Sequence, residues 1–377
     1  MVQRSMEKKL DDLLSKSSIY YKNLILKNNP KFDFKKPIVI FGAAKLSPHF
    51  IKYFKSKKTK VLALIDNDKN KVGKKLLGFS IINKKDILKK FGKNIQIVVA
   101  SVHYQEIISG LKKIGFNYVF NPMFFFTLDH KNFNLLTWKN NIDLIFKNKK
   151  KIKLAFSLLK DKKSKKIFKE ITRFRLTFDQ SIFGKIKDND NEYFDKKIIK
   201  LSPKEIFLDG GAYDGDTIKT FIRESKNVFI KIYAFEPDDK SYIRLNEYLN
   251  KISDVRITSY KAGLGKIKGK LYFTNEGNLQ SKIINKGKTI IKILPIDSLK
   301  EVAFTYIKLD IEGYEKEALM GAKKIIKKYK PKLAICPYHN IEDLWEIPNL
   351  INRINPDYKF YLRHYSDFLF DTICYVI

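Results

Sequence analysis

Acidic residues and a glycine-rich turn carry most of the chemical content of this sequence. Asp209, Gly210, Gly211, Ala212, Tyr213, Asp214 and Gly215 follow directly on the apolar run Ile206–Leu208. Glycines at such a turn let backbone pass close to a ligand, and a helix starting there offers free N–H groups. Glu236, followed by Pro237, closes the next apolar run, 27 residues beyond Asp209 (236 − 209). A carboxylate in that place can accept hydrogen bonds from both ribose hydroxyls of a nucleoside-containing cofactor. Asp310 and Glu312 follow a later apolar run, Thr305–Leu309, and His339 follows Lys332–Ile335. Ligands of open parallel sheets bind at the carboxyl ends of strands, so these residues are expected at one cleft. His49, His103 and His130 show no partner by spacing, and His364 reads as a hydrogen-bonded loop residue. No spaced set of His, Asp and Glu suggests a metal site.

These residues need a scaffold of alternating strands and helices. Strand-like runs at Ile206–Leu208, Lys231–Phe235, Val255–Lys261, Thr305–Leu309 and Lys332–Ile335 alternate with helical stretches at Thr217–Ser225, Lys240–Asn250 and up to Tyr329. A hairpin-like stretch runs from Leu271 to Leu294, and Phe360–Arg363 with Thr372–Ile377 reads as a terminal antiparallel pair. Strand-helix alternation predicts a parallel sheet with helical crossovers. The same pattern appears earlier, with strands at Pro37–Phe41, Val61–Ile65 and Ile95–Ala100, turns at Gly42 and at Gly73 with Gly78, and helices at His49–Ser56 and near Asp86. Basic, helical sequence without strand signals separates the two. The expected division is a Rossmann-like N-terminal domain with a helical lead-in over 1–122, a helical connector over 123–200 and a second domain over 201–377.

Length and composition agree with two folded α/β domains. The chain has 377 residues, of which 44% are hydrophobic and 14% aromatic, enough for sizeable cores. Apolar runs are strand-length, short of the roughly 20 residues of a membrane-spanning helix. Met1–Leu10 is charged and lacks the apolar core of a signal peptide. Cys336 and Cys374 are in no zinc-like spacing, which fits a cytoplasmic protein without disulfides. The formal charge of +35 raises nucleic acid or an anionic membrane surface as partners. The lysines are scattered through every segment rather than gathered in a stripe, which argues against nucleic acid and favours solvated faces. A peripheral membrane contact and a homodimer both remain compatible with the sequence.

The glycine turn with Glu236 fits either a dinucleotide or S-adenosylmethionine. The spacing departs from G-x-G-x-x-G, because Tyr213 stands between Gly211 and Gly215, and the terminal strand pair suits a methyltransferase sheet better than a dehydrogenase. Here FLDGGAYDGDT (Phe207–Thr217), YAFEPD (Tyr233–Asp238) and YIKLDIEGYE (Tyr306–Glu315) resemble the FkbM-type methyltransferases. So do NEYFD (Asn191–Asp195), YHNIEDLWEIP (Tyr338–Pro348), YLRHY (Tyr361–Tyr365) and the terminal ICYVI. The resemblance covers roughly residues 154–377. It implies a class I methyltransferase sheet, S-adenosylmethionine as cofactor, and O-methylation of a sugar or other small metabolite. It also implies that Asp209, Gly211 and Glu236, within the set Asp209–Tyr213, Gly215, Glu236 and Pro237, hold the cofactor. Asp310 and Glu312 fall in the family's K-[IL]-D-[IV]-E-G signature. Tyr213 replaces a common Asn.

A hydroxyl is a poor nucleophile at neutral pH and benefits from a base and in-line placement. Asp310 and His339 are expected to face the acceptor hydroxyl, either one serving as base, with Glu312 in support. The acceptor would be a small hydroxyl compound, a nucleotide-linked sugar among them. In the N-terminal part, IVIFGAAKLSPHF (Ile38–Phe50) and ALIDND (Ala63–Asp68) resemble Rossmann-like domains of sugar-modifying enzymes, with Asp66 at the ribose-binding position. Two other readings compete. An RNA methyltransferase predicts a clustered basic face with stacking aromatics. A non-catalytic scaffold predicts an eroded cofactor turn, yet Asp209, Gly211, Gly215 and Glu236 are present.

Overall fold

The computed structural model describes residues 2–44, 46–101, 103–129, 142–273, 283–284, 289–299 and 302–377. Lys45, His130 and the middle of the 271–294 hairpin stretch lie outside the described residues. The chain forms two compact units, one of residues 13–146 with 173–180, the other of 1–12, 147–172 and 181–377. The cut differs from the expected boundaries. Most of the segment expected as a connector is built into the second unit: Lys160 N–H donates to the Phe360 carbonyl at 3.0 Å, and Leu362 N–H to Ser164 Oγ at 2.8 Å.

The first unit holds a six-stranded sheet of β1 (Ile38–Phe41), β2 (Val61–Asp66), β3 (Lys75–Leu76), β4 (Phe79–Asn83), β5 (Gln96–Val99) and β6 (Tyr118–Phe120). Its order is β3-β4-β2-β1-β5-β6, parallel throughout except for the β3–β4 hairpin. All four residues of β1 and of β5 are buried, as apolar runs in the middle of a parallel sheet must be. The sequence reading placed a turn at Gly73 and Gly78 but missed β4, a five-residue strand with only two buried residues.

The second unit contains β7 (Ile206–Gly210), β8 (Lys231–Phe235), β9 (Ile257–Tyr260), β14 (Tyr306–Leu309), β15 (Lys332–Ile335), β16 (Phe360–His364) and β17 (Thr372–Val376) in one seven-stranded sheet. The order is β16-β17-β15-β14-β7-β8-β9. Strands β9 to β15 run parallel, and β17 runs antiparallel to both neighbours. A separate four-stranded sheet joins β10 (Gly263–Leu264), β11 (Gly269–Phe273), β12 (Ile283–Ile284) and β13 (Thr289–Leu294). Phe207, Ala234, Tyr306, Ala334 and Tyr375 form the core of the large sheet. Each large apolar side chain so buried stabilises the fold by about 1.5–3 kcal/mol. Chain order reverses between β7 and β14, and a cleft at the carboxyl ends of strands belongs at such a switch point.

Candidate active site

The turn after β7 is shaped by the strand beside it. Gly211 has φ +78°, and a Cβ there would lie 1.8 Å from the Asp310 carbonyl oxygen, so no other residue fits while β7 and β14 stay paired. Gly211 and Ala212 N–H groups donate to the Phe235 carbonyl at 2.9 and 3.0 Å. Lys308, buried in the middle of β14, ties the same turn from the other side. Its Nζ lies 2.9 Å from Asp209 Oδ1 and donates to the Gly211 carbonyl at 2.8 Å. Burial alone would lower the Lys308 pKa, but Asp209, Asp310 and Asp216 outweigh it and raise it. Asp209 is fully buried in this ion pair. Through Lys308 it holds the backbone of the turn in place.

Glu236 stands at the end of β8. Its Oε2 accepts the Tyr213 N–H at 2.9 Å and its Oε1 accepts the Asp238 N–H at 2.8 Å. Asp238 in turn caps the helix Asp239–Ile252, accepting the Ser241 N–H at 3.0 Å. Glu236 is nearly buried, and burial pushes its carboxyl up to about 7 against the pull of those two backbone donors. Each oxygen keeps a lone pair beyond its backbone bond. A buried carboxylate paired mainly with backbone N–H groups, beside a turn that carries no Cβ at Gly211, fits the two ribose hydroxyls of a nucleoside.

Across the switch point, Asp310 follows β14. Its Oδ2 accepts the Tyr193 hydroxyl at 2.8 Å, and its Oδ1 accepts the Tyr338 hydroxyl at 3.2 Å. Burial alone would raise the Asp310 pKa, yet His339, Lys308 and the two tyrosine hydroxyls hold it below the ordinary carboxylate value. His339 Nε2 lies 3.4 Å from Asp310 Oδ1 and 3.7 Å from Glu312 Oε2, while Nδ1 lies 2.9 Å from Glu315 Oε1. Burial works against protonation of the ring, but Glu315, Asp310 and Glu312 push His339 up to about 10. As arranged here, His339 is a cation at neutral pH and has no lone pair for a hydroxyl proton. Asp310 keeps that capacity.

The structure thus brings Asp310, Glu312 and His339 together, with Asp209, Gly211 and Glu236 on the neighbouring strand ends. Glu315, Lys308, Tyr193, Tyr338 and Asp343 were not singled out from the sequence. Glu315 Oε1 accepts the Ile311 and Gly313 N–H groups at 2.9 and 3.3 Å, which fixes the loop bearing Glu312. All five lie in or beside the family-like runs NEYFD, YIKLDIEGYE and YHNIEDLWEIP, the one signal that pointed to them. The expectation of no metal-like set was drawn from spacing along the chain. In space, Asp310, Glu315 and His339 each offer a ligand atom within 4.8 Å of the others. Strain gathers here as well. Tyr193, Tyr213, Glu312 and Asp371 have φ of +65°, +49°, +57° and +58°, each costing about 1–3 kcal/mol that the surrounding fold must offset. His364, by contrast, is buried among Phe183 and Thr372, and burial lowers it to about 4, so it belongs to the sheet and not to the cleft. Cys336 and Cys374 are both buried free thiols.

Residues 209–365 match the family model of the methyltransferase FkbM domain. The chain carries an FkbM methyltransferase domain. S-adenosylmethionine is accordingly its cofactor. Residues 34–118 match a second model, C2185-like, N-terminal. No curated protein matches the chain. Among solved structures, a methyltransferase FkbM from Methylobacillus flagellatus KT is 22% identical, with 100% of this chain and 99% of that one covered and a TM-score of 0.78. That likeness shows a shared fold over the whole chain. An rRNA methylase from Streptococcus thermophilus is 14% identical over 47% of this chain and 87% of its own, with a TM-score of 0.30. A SAM-dependent methyltransferase from Aquifex aeolicus is 16% identical over 53% and 98%, also with a TM-score of 0.30, too low to carry an inference. Among the described residues, no helix is long and apolar enough to cross a membrane.

Proposed function

We propose that the FkbM domain methylates a hydroxyl of a sugar, a nucleotide-linked sugar or a related small metabolite in glycan biosynthesis. The observation that carries this reading is the juxtaposition of Glu236, at a cofactor-shaped turn, with Asp310 at the next strand end. S-adenosylmethionine supplies an electrophilic methyl group. Glu236 and the Gly211 turn would hold its nucleoside. Asp310 would accept the hydrogen bond of the acceptor hydroxyl and take its proton, oriented by Tyr193 and Tyr338. His339 and Glu312 would fix Asp310. In the first unit, Gly42 has φ +109° and Asp66 Oδ2 accepts the Ala43 N–H at 2.9 Å, a turn that would suit a nucleotide at the ends of β1 and β2. The test is transfer of labelled methyl to a panel of sugars and nucleotide sugars by the wild type, Asp310→Asn and His339→Ala. A loss of about 100-fold or more in Asp310→Asn supports the role of Asp310; unaltered rates in both variants sink it.

A further inference from the structure

We propose that Arg244 is a positioning residue for the cofactor, holding the Tyr213 turn and the Glu236 carboxylate in register for the ribose hydroxyls. The proposal rests on the reading of Glu236 as the ribose acceptor and deepens it. Tyr213 stands where the family-like motif commonly has Asn. Its φ of +49° is left-handed, a conformation that Asn adopts far more readily than a bulky aromatic residue. A tyrosine there needs restraint from its surroundings. The Arg244 guanidinium lies over the Tyr213 ring, 5.0 Å from its centroid, close enough for a cation–π attraction.

The contacts around Glu236 close into a circuit. Arg244 Nη2 donates to Ser241 Oγ at 3.1 Å, and that hydroxyl donates to Asp238 Oδ2 at 3.0 Å. The Asp238 N–H donates to Glu236 Oε1, and the Tyr213 N–H to Glu236 Oε2. Both carboxylate oxygens are thus held by two segments that meet again at Arg244. Ser241 and Arg244 lie three residues apart on the helix Asp239–Ile252, so both reach the turn from one helix face. The helix sits hard against the turn, since a Cβ on Gly215 would come within 2.5 Å of the Tyr248 ring. Asp238 and Ser241 are buried, whereas Tyr213 and Arg244 are only half-buried. An arginine suits this place because its planar guanidinium stacks on a ring and donates hydrogen bonds at the same time. Without it, Tyr213 is free to leave the left-handed conformation, and its N–H then leaves Oε2. The carboxylate loses the orientation that aims its remaining lone pairs at the ribose, while the rest of the cofactor's contacts stay as they were.

The test is calorimetric titration of the full chain with S-adenosylhomocysteine and with its analogue lacking both ribose hydroxyls. The wild type is expected to prefer S-adenosylhomocysteine by at least about tenfold, since the analogue makes no hydrogen bond to the carboxylate. Arg244→Met keeps bulk over the ring and removes both the charge and the donor. It should bind S-adenosylhomocysteine about fivefold more weakly and leave the analogue within about twofold, so that most of the preference is lost. Arg244→Lys is expected to recover part of that preference. Tyr213→Leu removes the ring beneath the guanidinium, should show the same selective loss, and keeps the test usable if Arg244→Met does not fold. An undiminished preference in these variants, or an equal loss for both ligands, overturns the positioning role and leaves the methyltransferase reading intact. A wild type that binds no S-adenosylhomocysteine, or binds both ligands equally, overturns the reading of Glu236 and the positioning role with it.

Discussion

At the residue scale, two buried charges flank the turn proposed to hold the cofactor. Burial pushes the Glu236 carboxyl up to about 7, so its ionised form is lost as pH falls through that value. Only the ionised form accepts hydrogen bonds on both oxygens. Affinity for S-adenosylhomocysteine is therefore expected to weaken about tenfold per pH unit below 7, and Glu236→Gln to bind weakly with a flat profile. Calorimetric titration between pH 8 and 6 checks both; a flat wild-type profile contradicts the assignment. The second charge is Lys308. Replacing it by Met leaves Asp209 buried without its partner, which costs about 3–5 kcal/mol. Denaturant unfolding is expected to show that loss, with Asp209→Leu restoring part of it in the double variant. Equal stability of Lys308→Met and wild type would mean that Asp209 is not ionised in the fold.

At the element scale, the site depends on how closely β7 and β14 approach. Gly211→Ala places a methyl against the Asp310 carbonyl in a left-handed conformation, so a loss of at least about 2 kcal/mol is expected. Cofactor binding should fall with it, read as thermal shift with and without S-adenosylhomocysteine. An Ala variant with unchanged stability and binding would place the strand ends further apart than they are here. The central strands of the two large sheets were legible in the sequence because parallel strands buried on both faces read as short apolar runs, while the short or half-buried β3, β4 and β6 were not. Glu236, at the end of such a run, and the terminal antiparallel pair, itself made of such runs, were legible for the same reason. The His339–Glu315 contact was not. It joins the start of one helix to the loop after another strand, and nothing in local spacing marks it. The docking of the 149–172 helices beside β16 was hidden as well, since a basic amphipathic helix reads alike whether it links domains or covers a sheet edge.

At the scale of the whole molecule, charge and site point in opposite directions. The chain carries a formal charge of +35, while the cleft gathers Asp310, Glu312, Glu315 and Asp343, with Glu192 pushed up to about 8 by burial and by Asp371 and Asp310. A phosphate-rich strand would meet these carboxylates at the reacting end. A hydroxyl-rich acceptor would find hydrogen-bond partners there. Incubation of the full chain with labelled S-adenosylmethionine is therefore expected to label small sugars or nucleotide sugars and to leave RNA unlabelled at physiological salt; labelled RNA would favour the competing reading.

The turn after β7, with Glu236 beside it, is proposed to hold S-adenosylmethionine. The most direct measurement is a crystal structure of the full chain with S-adenosylhomocysteine. Both ribose hydroxyls are expected on the Glu236 carboxylate, with the sulfur pointing toward Asp310. A ligand bound elsewhere, or none at saturating concentration, would contradict it.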